Sequence, residues 1–229
     1  MGAKALGPRI GRFVEGTSKS LVTVNFKPVE LAQHNVPMMC LGLFILWLGF
    51  IPFIGGFAGF VNFQLGRLVV MTTLSGCSGG ITALLWTYLM EKHASLESAM
   101  TGVLAAMVGI CSSCGCTTIW AAFWVIAPVS VLAYRFGLWF NLKLKVDDPL
   151  GASALHYWPG IWSMIACGIF SEPDIWEMTY GFGYGAKRKA TQRDGEDDYA
   201  GIVYGGNGAL GAPAEPRRRS APLLPLAWV

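Results

Sequence analysis

The chain has 229 residues, is 53 % apolar and only 14 % charged, and carries a formal net charge of +3. Its basic residues are neither dense nor interleaved with aromatics, so composition does not suggest a nucleic-acid binder. Charge clusters in residues 1–30, 91–97, 143–148 and the part after Ser171. The long, nearly uncharged stretches between these clusters suit a polytopic membrane protein, because a bilayer-crossing helix takes roughly 20 mainly apolar residues.

Residues 1–35 read as a cytoplasmic N-terminal loop. "MGAKALGPRIGRF" has basic residues with no apolar run behind them, unlike a secretory signal. Leu6 stands where a myristoylation motif would have Ser or Thr.

A first span is expected over about 36–60, "VPMMCLGLFILWLGFIPFIGGFAGF". Phe50, Phe53 and Phe57 recur at helical spacing on one face. Such a stripe is ordinarily packing; the sharper reading is a gate or cation–π site, since aromatic faces attract ammonium-type cations. Pro52 and Gly55–Gly56 would kink or loosen this helix.

The second span is expected over about 68–90. Its Ser75, Gly76, Gly79 and Gly80 form a groove for a neighbouring helix, because small residues let helices approach closely. The third span, about 99–114, runs into "CSSCGC". A metal site at Cys111, Cys114 and Cys116 would need a fourth ligand, and no partnered C-x-x-C or nearby His supplies one. A short loop is the simpler reading; a redox or metal-responsive role is the alternative. No phosphate-binding glycine loop, Ser-His-Asp arrangement or HExxH is present, so no cofactor and no enzyme activity are expected.

The fourth span is expected over about 117–140 and the fifth over about 150–170. "VDDPLG" before the fifth reads as a helix start, with Asp148 capping and Pro149 at the first helical position; a lure for cations is the alternative use of the carboxylates. Inside the fifth span stands His156. An ionisable group in a membrane span is a candidate functional residue by default. It could also be a neutral imidazole hydrogen-bonded to a neighbouring helix. Histidine is the side chain best suited to proton movement near neutrality.

Residues 36–170 thus form the transmembrane domain, and the fold class is an all-α polytopic membrane protein with about five spans. Only helices and closed barrels satisfy the backbone in hydrocarbon, and the alternating segments of a barrel are absent. Lys4, Arg9, Arg12, Lys19 and Lys27 precede the first span, Lys92 follows the second and Lys143 and Lys145 follow the fourth, whereas the opposite loops hold only Arg67. By the positive-inside rule the first span starts in the cytoplasm and the fifth ends outside. Residues 171–229, rich in Gly, Pro and charge, are expected to be mostly disordered. On this topology they lie outside, against the rule's preference for their basic clusters.

Taken together, "LAQHNVPMMCLGLFILWLGFIPFIGG", "ITALLWTYL…ASLESAMTGVLAAMVGICSSCG" and "LKVDDPLGASALHYWPGIWSMIACGIF" resemble, in order and spacing, the second half of the ammonium transporter (Amt/Mep/Rh) family. The resemblance covers roughly Gly7 to Phe170. It implies the second five-helix repeat of an eleven-helix fold built from two inverted repeats, a channel-like transporter of ammonium or ammonia, a plasma-membrane location, and a trimer or other homo- or hetero-oligomer. It implies that His156 is one of two pore-lining histidines and Phe53 one of two stacked gate phenylalanines, with Phe50 near the outer vestibule. The sequence departs from the family pattern where "F-N-x-G-S" reads "FIGGF": Ile54 replaces Asn and Phe57 replaces a small hydroxyl residue. The partner histidine and the other gate phenylalanine belong to a first repeat that the chain lacks. The expectation is therefore a partial chain unable to transport alone, or a non-transporting protein that associates with full-length subunits.

Overall fold

The computed structural model describes residues 2–15, 26–28, 34–57, 64–180 and 201–204. The architecture is a bundle of helices: α1 (Gly2–Leu6), α2 (Val36–Phe57), α3 (Gln64–Glu91), α4 (Leu96–Ile110), α5 (Ile119–Ala121), a π-helical turn (Ala122–Ile126), α6 (Ala127–Lys143), α7 (Ala152–Phe170) and α8 (Pro173–Tyr180). α5, the π turn and α6 form one rod, Ile119–Lys143. A short antiparallel pair, β1 (Phe13–Glu15) and β2 (Phe26–Pro28), sets Val14 opposite Lys27 in the N-terminal segment.

Among the described residues, α2, α3 and the Ile119–Lys143 rod are long and apolar enough to cross a membrane. α4, with 15 residues, spans about 22 Å at 1.5 Å per residue, short of the roughly 30 Å hydrocarbon core. α7 has 19 residues, with His156, Pro159, two serines and two glycines among its apolar side chains. The third expected span, 99–114, stops as a helix at Ile110 because "CSSCGC" folds into successive turns, with Cys114 N donating to Ile110 O (2.8 Å) and Thr117 N to Ser113 O (3.0 Å). Serine and glycine are weak helix formers that favour such local bonding.

The expected groove on α3 is occupied by α4. A Cβ placed on Gly79 would overlap the Gly102 carbonyl and Ala106 Cβ, and one on Gly102 would meet Gly79 O at 2.7 Å. The two backbones therefore touch, and Ser75 Oγ donates to Ala106 O across the contact (3.0 Å). The glycine-rich face is spent inside the chain. α6 meets α7 the same way, Gly137 lying against Ala154 and Trp158, with Phe136 and Phe140 edge-on to the Trp158 ring at 4.7 and 5.3 Å.

Within the rod, Ala127 N bonds Ala122 O, the wider loop of a π turn. Side chains from other helices meet its carbonyls: Ser78 Oγ donates to Phe123 O (2.5 Å) and Trp162 Nε1 to Ile126 O (3.1 Å).

Part of the segment expected to be disordered is ordered. α8 begins with Pro173 and Asp174, both suited to a helix start. Gly201 N donates to Ser171 O (2.8 Å), folding residues 201–204 back onto the end of α7. Residues 181–200 and 205–229 lie outside the described residues.

Candidate functional site

α2 begins at Asn35, whose side chain accepts from Met38 N (3.0 Å), with Pro37 in the first turn where its missing N–H costs nothing. Among its described side chains only Leu43 and Ile54 are buried. Ile54, where the family pattern has Asn, is fully enclosed in a cluster with Leu68, Met71, Ile110, Ile126 and Ala166. Phe50 packs on that cluster, beside Trp162 and Phe170. Phe53 points outward, 56 % exposed, its ring edge-on to Phe50 at 5.7 Å. The Phe57 side chain lies outside the described residues.

α7 turns Ala154, Leu155, Pro159, Ser163 and Ala166 inward and leaves His156, Tyr157, Met164 and Ile165 exposed. His156 forms no hydrogen bond among the described residues, so the imidazole bonded to a neighbouring helix is not what they present. The structure brings Phe50 and Phe53 together near the C-terminal end of α2. His156 is six residues from Trp162, about 9 Å further along the helix axis.

The start of α7 differs from the sequence reading. Asp148 Oδ2 accepts from Ser153 N and Ser153 Oγ, both at 2.7 Å, but the helix begins at Ala152, three residues beyond Pro149. Gly151 N donates to Asp148 O (3.1 Å), closing a turn with Pro149 at its second position, a place its fixed φ suits. Gly151 then takes φ +61°, a left-handed conformation costly for residues with a Cβ. Burial works against the Asp148 charge, but the Ser153 bonds prevail and hold its carboxyl below the usual range.

Its neighbour Asp147 carries a contact the sequence reading missed. Arg9 clasps it with Nε on Oδ2 (2.7 Å) and Nη2 on Oδ1 (2.9 Å), and the Arg9 backbone N–H adds a bond to Oδ2 (2.9 Å). Arg12 Nε lies 3.5 Å from Oδ1. The Arg9 hydrogen bond, against the opposing effect of burial, brings the Asp147 carboxyl down to about 2. The N-terminal segment and the α6–α7 loop, both expected on the cytoplasmic side, are thus fastened together. The paired "R-x-x-R" and "DD" were the only signal for it.

The profile of the Ammonium Transporter Family matches residues 1–210. The chain belongs to that family. Ammonium transporter 3 of Dictyostelium discoideum is 34 % identical over 185 residues, 76 % of this chain and 41 % of that protein. Ammonium transporter 1 member 4 of Arabidopsis thaliana is 33 % identical over 193 residues, covering 75 % of this chain and 35 % of the relative. Among solved structures, a sensor Amt protein matches with TM-score 0.64 and 27 % identity over 82 % of this chain and 45 % of its own. Mep2 of Saccharomyces cerevisiae matches with TM-score 0.60 and 26 % identity, over 67 % of this chain and 35 % of that one. This ammonium transporter family member therefore spans about two fifths of the length of the curated relatives it matches, and it is an integral membrane protein.

Proposed function

We propose that the chain forms one wall of an ammonium- or ammonia-conducting path, lined by Phe50, Phe53 and His156, and that it does not conduct alone. The observation that carries this reading is that His156, an ionisable side chain, stands exposed on α7, where most of the other exposed side chains are apolar. An ionisable group facing hydrocarbon is costly; the same group at an interface between two repeats is where transporters of inverted-repeat design place their sites. A second surface must cover this one, from further sequence or from another polypeptide. Family membership favours transport over catalysis, a plasma-membrane location and an oligomer, a trimer by family likeness. Positive-inside orientation puts the Arg9–Asp147 clasp in the cytoplasm and the 111–117 turns outside.

In the completed path, Phe50 and Phe53 would attract the cation by their ring faces. The cation would lose its proton before entering the apolar lumen, where a bare charge is expensive, and His156 would accept a hydrogen bond or relay the proton. The test is uptake of methylammonium by transporter-deficient cells making this chain alone. No uptake is expected. Uptake that disappears with His156→Ala would overturn the claim that the chain is insufficient.

The second reading, association with full-length subunits, draws on the exposure of α2 rather than on the glycine face, which α4 already occupies. Co-purification of the chain with a full-length homologue from the same membrane is the expected result; recovery of the chain free of it would refute this reading.

A further inference from the structure

Residues 111–117 join α4 to α5 and hold three of the six cysteines. Ser113, Cys114, Cys116 and Thr117 are buried, and two helices, α3 and α7, together with the residue after α7, hold the segment. Arg67 of α3 donates to Thr117 O (2.6 Å) and Cys114 O (3.4 Å). Ser163 of α7 accepts from Ser112 N (2.9 Å). Glu172 N, just past α7, donates to Cys116 O (2.7 Å). This last bond sets the end of α7 beside the turn, and there Cys116 Sγ lies 3.5 Å from Cys167 Sγ.

The other thiols are engaged differently. Cys111 Sγ donates to Met107 O (3.1 Å), Cys114 Sγ to Cys111 O (3.4 Å), and Cys40 Sγ contacts Met100 Sδ (3.2 Å). Cys77 is exposed on α3. Cys116 and Cys167 form the one thiol–thiol contact among the described residues. We propose that these two cysteines are a disulfide-forming pair that locks the α4–α5 turn to the outer end of α7.

A disulfide needs its sulfurs about 2.0 Å apart, so the pair must close by about 1.5 Å. Side-chain rotation is the movement required, and the Glu172–Cys116 bond ties Cys116 to the chain five residues beyond Cys167. The oxidant is a low-molecular-mass disulfide of the glutathione class. The thiolate of Cys167, the more accessible of the two, attacks the reagent, giving a mixed disulfide and one released small thiol. Cys116 then attacks the Cys167 sulfur and expels the second small thiol. The two protein thiols give up two protons and two electrons, and the reagent's S–S bond becomes two thiols. The expectation that the bond persists in the cell rests on the orientation proposed above, which turns the pair away from the cytoplasm, where disulfides are kept reduced. The thiol contact itself does not depend on that orientation.

The experiment treats the full chain in sealed membrane vesicles of each orientation with oxidised glutathione. Remaining thiols are then alkylated and peptides are mapped without reduction. The expected result is a Cys116–Cys167 linked peptide, loss of two of the six alkylatable thiols, and reversal by dithiothreitol. Cys116→Ser is expected to lose one thiol, leaving Cys167 bonded to glutathione, and Cys167→Ser to lose none at Cys116. All six cysteines alkylated after oxidation in vesicles of both orientations would overturn the proposal, as would a bond from Cys167 to Cys111 or Cys114. Reaction only in vesicles exposing the cytoplasmic face would uphold the pair and overturn the orientation.

Discussion

The contact between α3 and α4 gives the most direct test of what holds the bundle together. Replacing Gly79 by Ala puts a methyl group where the Gly102 carbonyl and Ala106 Cβ already lie. Neither is the flexible end of a long side chain, so the helices must part by about 1 Å to restore ordinary contact, and overpacking of this kind costs about 1–3 kcal/mol. Because the obstacle is backbone, the upper part of that range applies. Against it stands the gain from replacing glycine in a helix, up to about 1 kcal/mol, for a net loss of about 2 kcal/mol. Gly42 on α2 is the control: a Cβ there meets nothing within 4 Å, so Gly42→Ala keeps the gain without the clash. The two variants should differ by about 3 kcal/mol, or roughly 6–12 °C in melting temperature for a chain of this size. Thermal denaturation of the purified protein, followed by loss of the monodisperse peak in size-exclusion chromatography, measures the difference. Gly79→Ala melting at or above Gly42→Ala would refute the reasoning.

Asp147 gives an acid dependence. Its folded carboxyl titrates at about 2, below the ordinary 3.8. The charge therefore stabilises the fold above the ordinary value, and that contribution is lost as pH falls from about 4 toward 2. Asp147→Asn should lack this part of the slope in melting temperature against pH; equal slopes in both proteins would count against the clasp. Gly151→Ala should cost about 1–2 kcal/mol from the left-handed backbone alone, since Leu138 Cδ2 at 3.7 Å leaves room for the methyl; unchanged melting would contradict this. Trp162→Phe removes the bond to Ile126 O and should destabilise by about 0.5–1.5 kcal/mol, measured in the same thermal assay.

Much of the helix layout was legible in the sequence because hydropathy and charge clustering decide it. The expected spans at 36–60, 68–90 and 117–140 lie close to α2, α3 and the Ile119–Lys143 rod. The α3 groove was legible too, since Ser75, Gly76, Gly79 and Gly80 leave room for little except another helix. Contacts between distant residues were not. Arg9 and Asp147 are 138 residues apart, and Cys116 and Cys167 are 51 apart; no local pattern pairs them. The start of α7 was misplaced because Asp148 reaches across a turn to Ser153 instead of capping the next residue. Position in the span marked His156 and the phenylalanine stripe as candidates, but their specific pore roles came from family likeness, because an exposed imidazole and an exposed ring have no local signature that separates a conducting path from lipid.

The π turn has a consequence for chain length. Each residue of an α-helix advances the side chains by about 100°, so one extra residue in a plain helix would rotate everything after it by that amount. The wider loop closed by Ala127 N and Ala122 O takes up such a residue locally. Ala121 before it, Ala122 at its start and Ser130, Tyr134 and Gly137 after it can then all face the bundle. Deleting one residue between 122 and 126 should therefore convert the turn to ordinary α-helix and leave Gly137 against Trp158, whereas the same deletion at 132 would swing Gly137 away from that ring. The place expected to absorb a change of count is thus the place where Ser78 and Trp162 hold the rod's carbonyls.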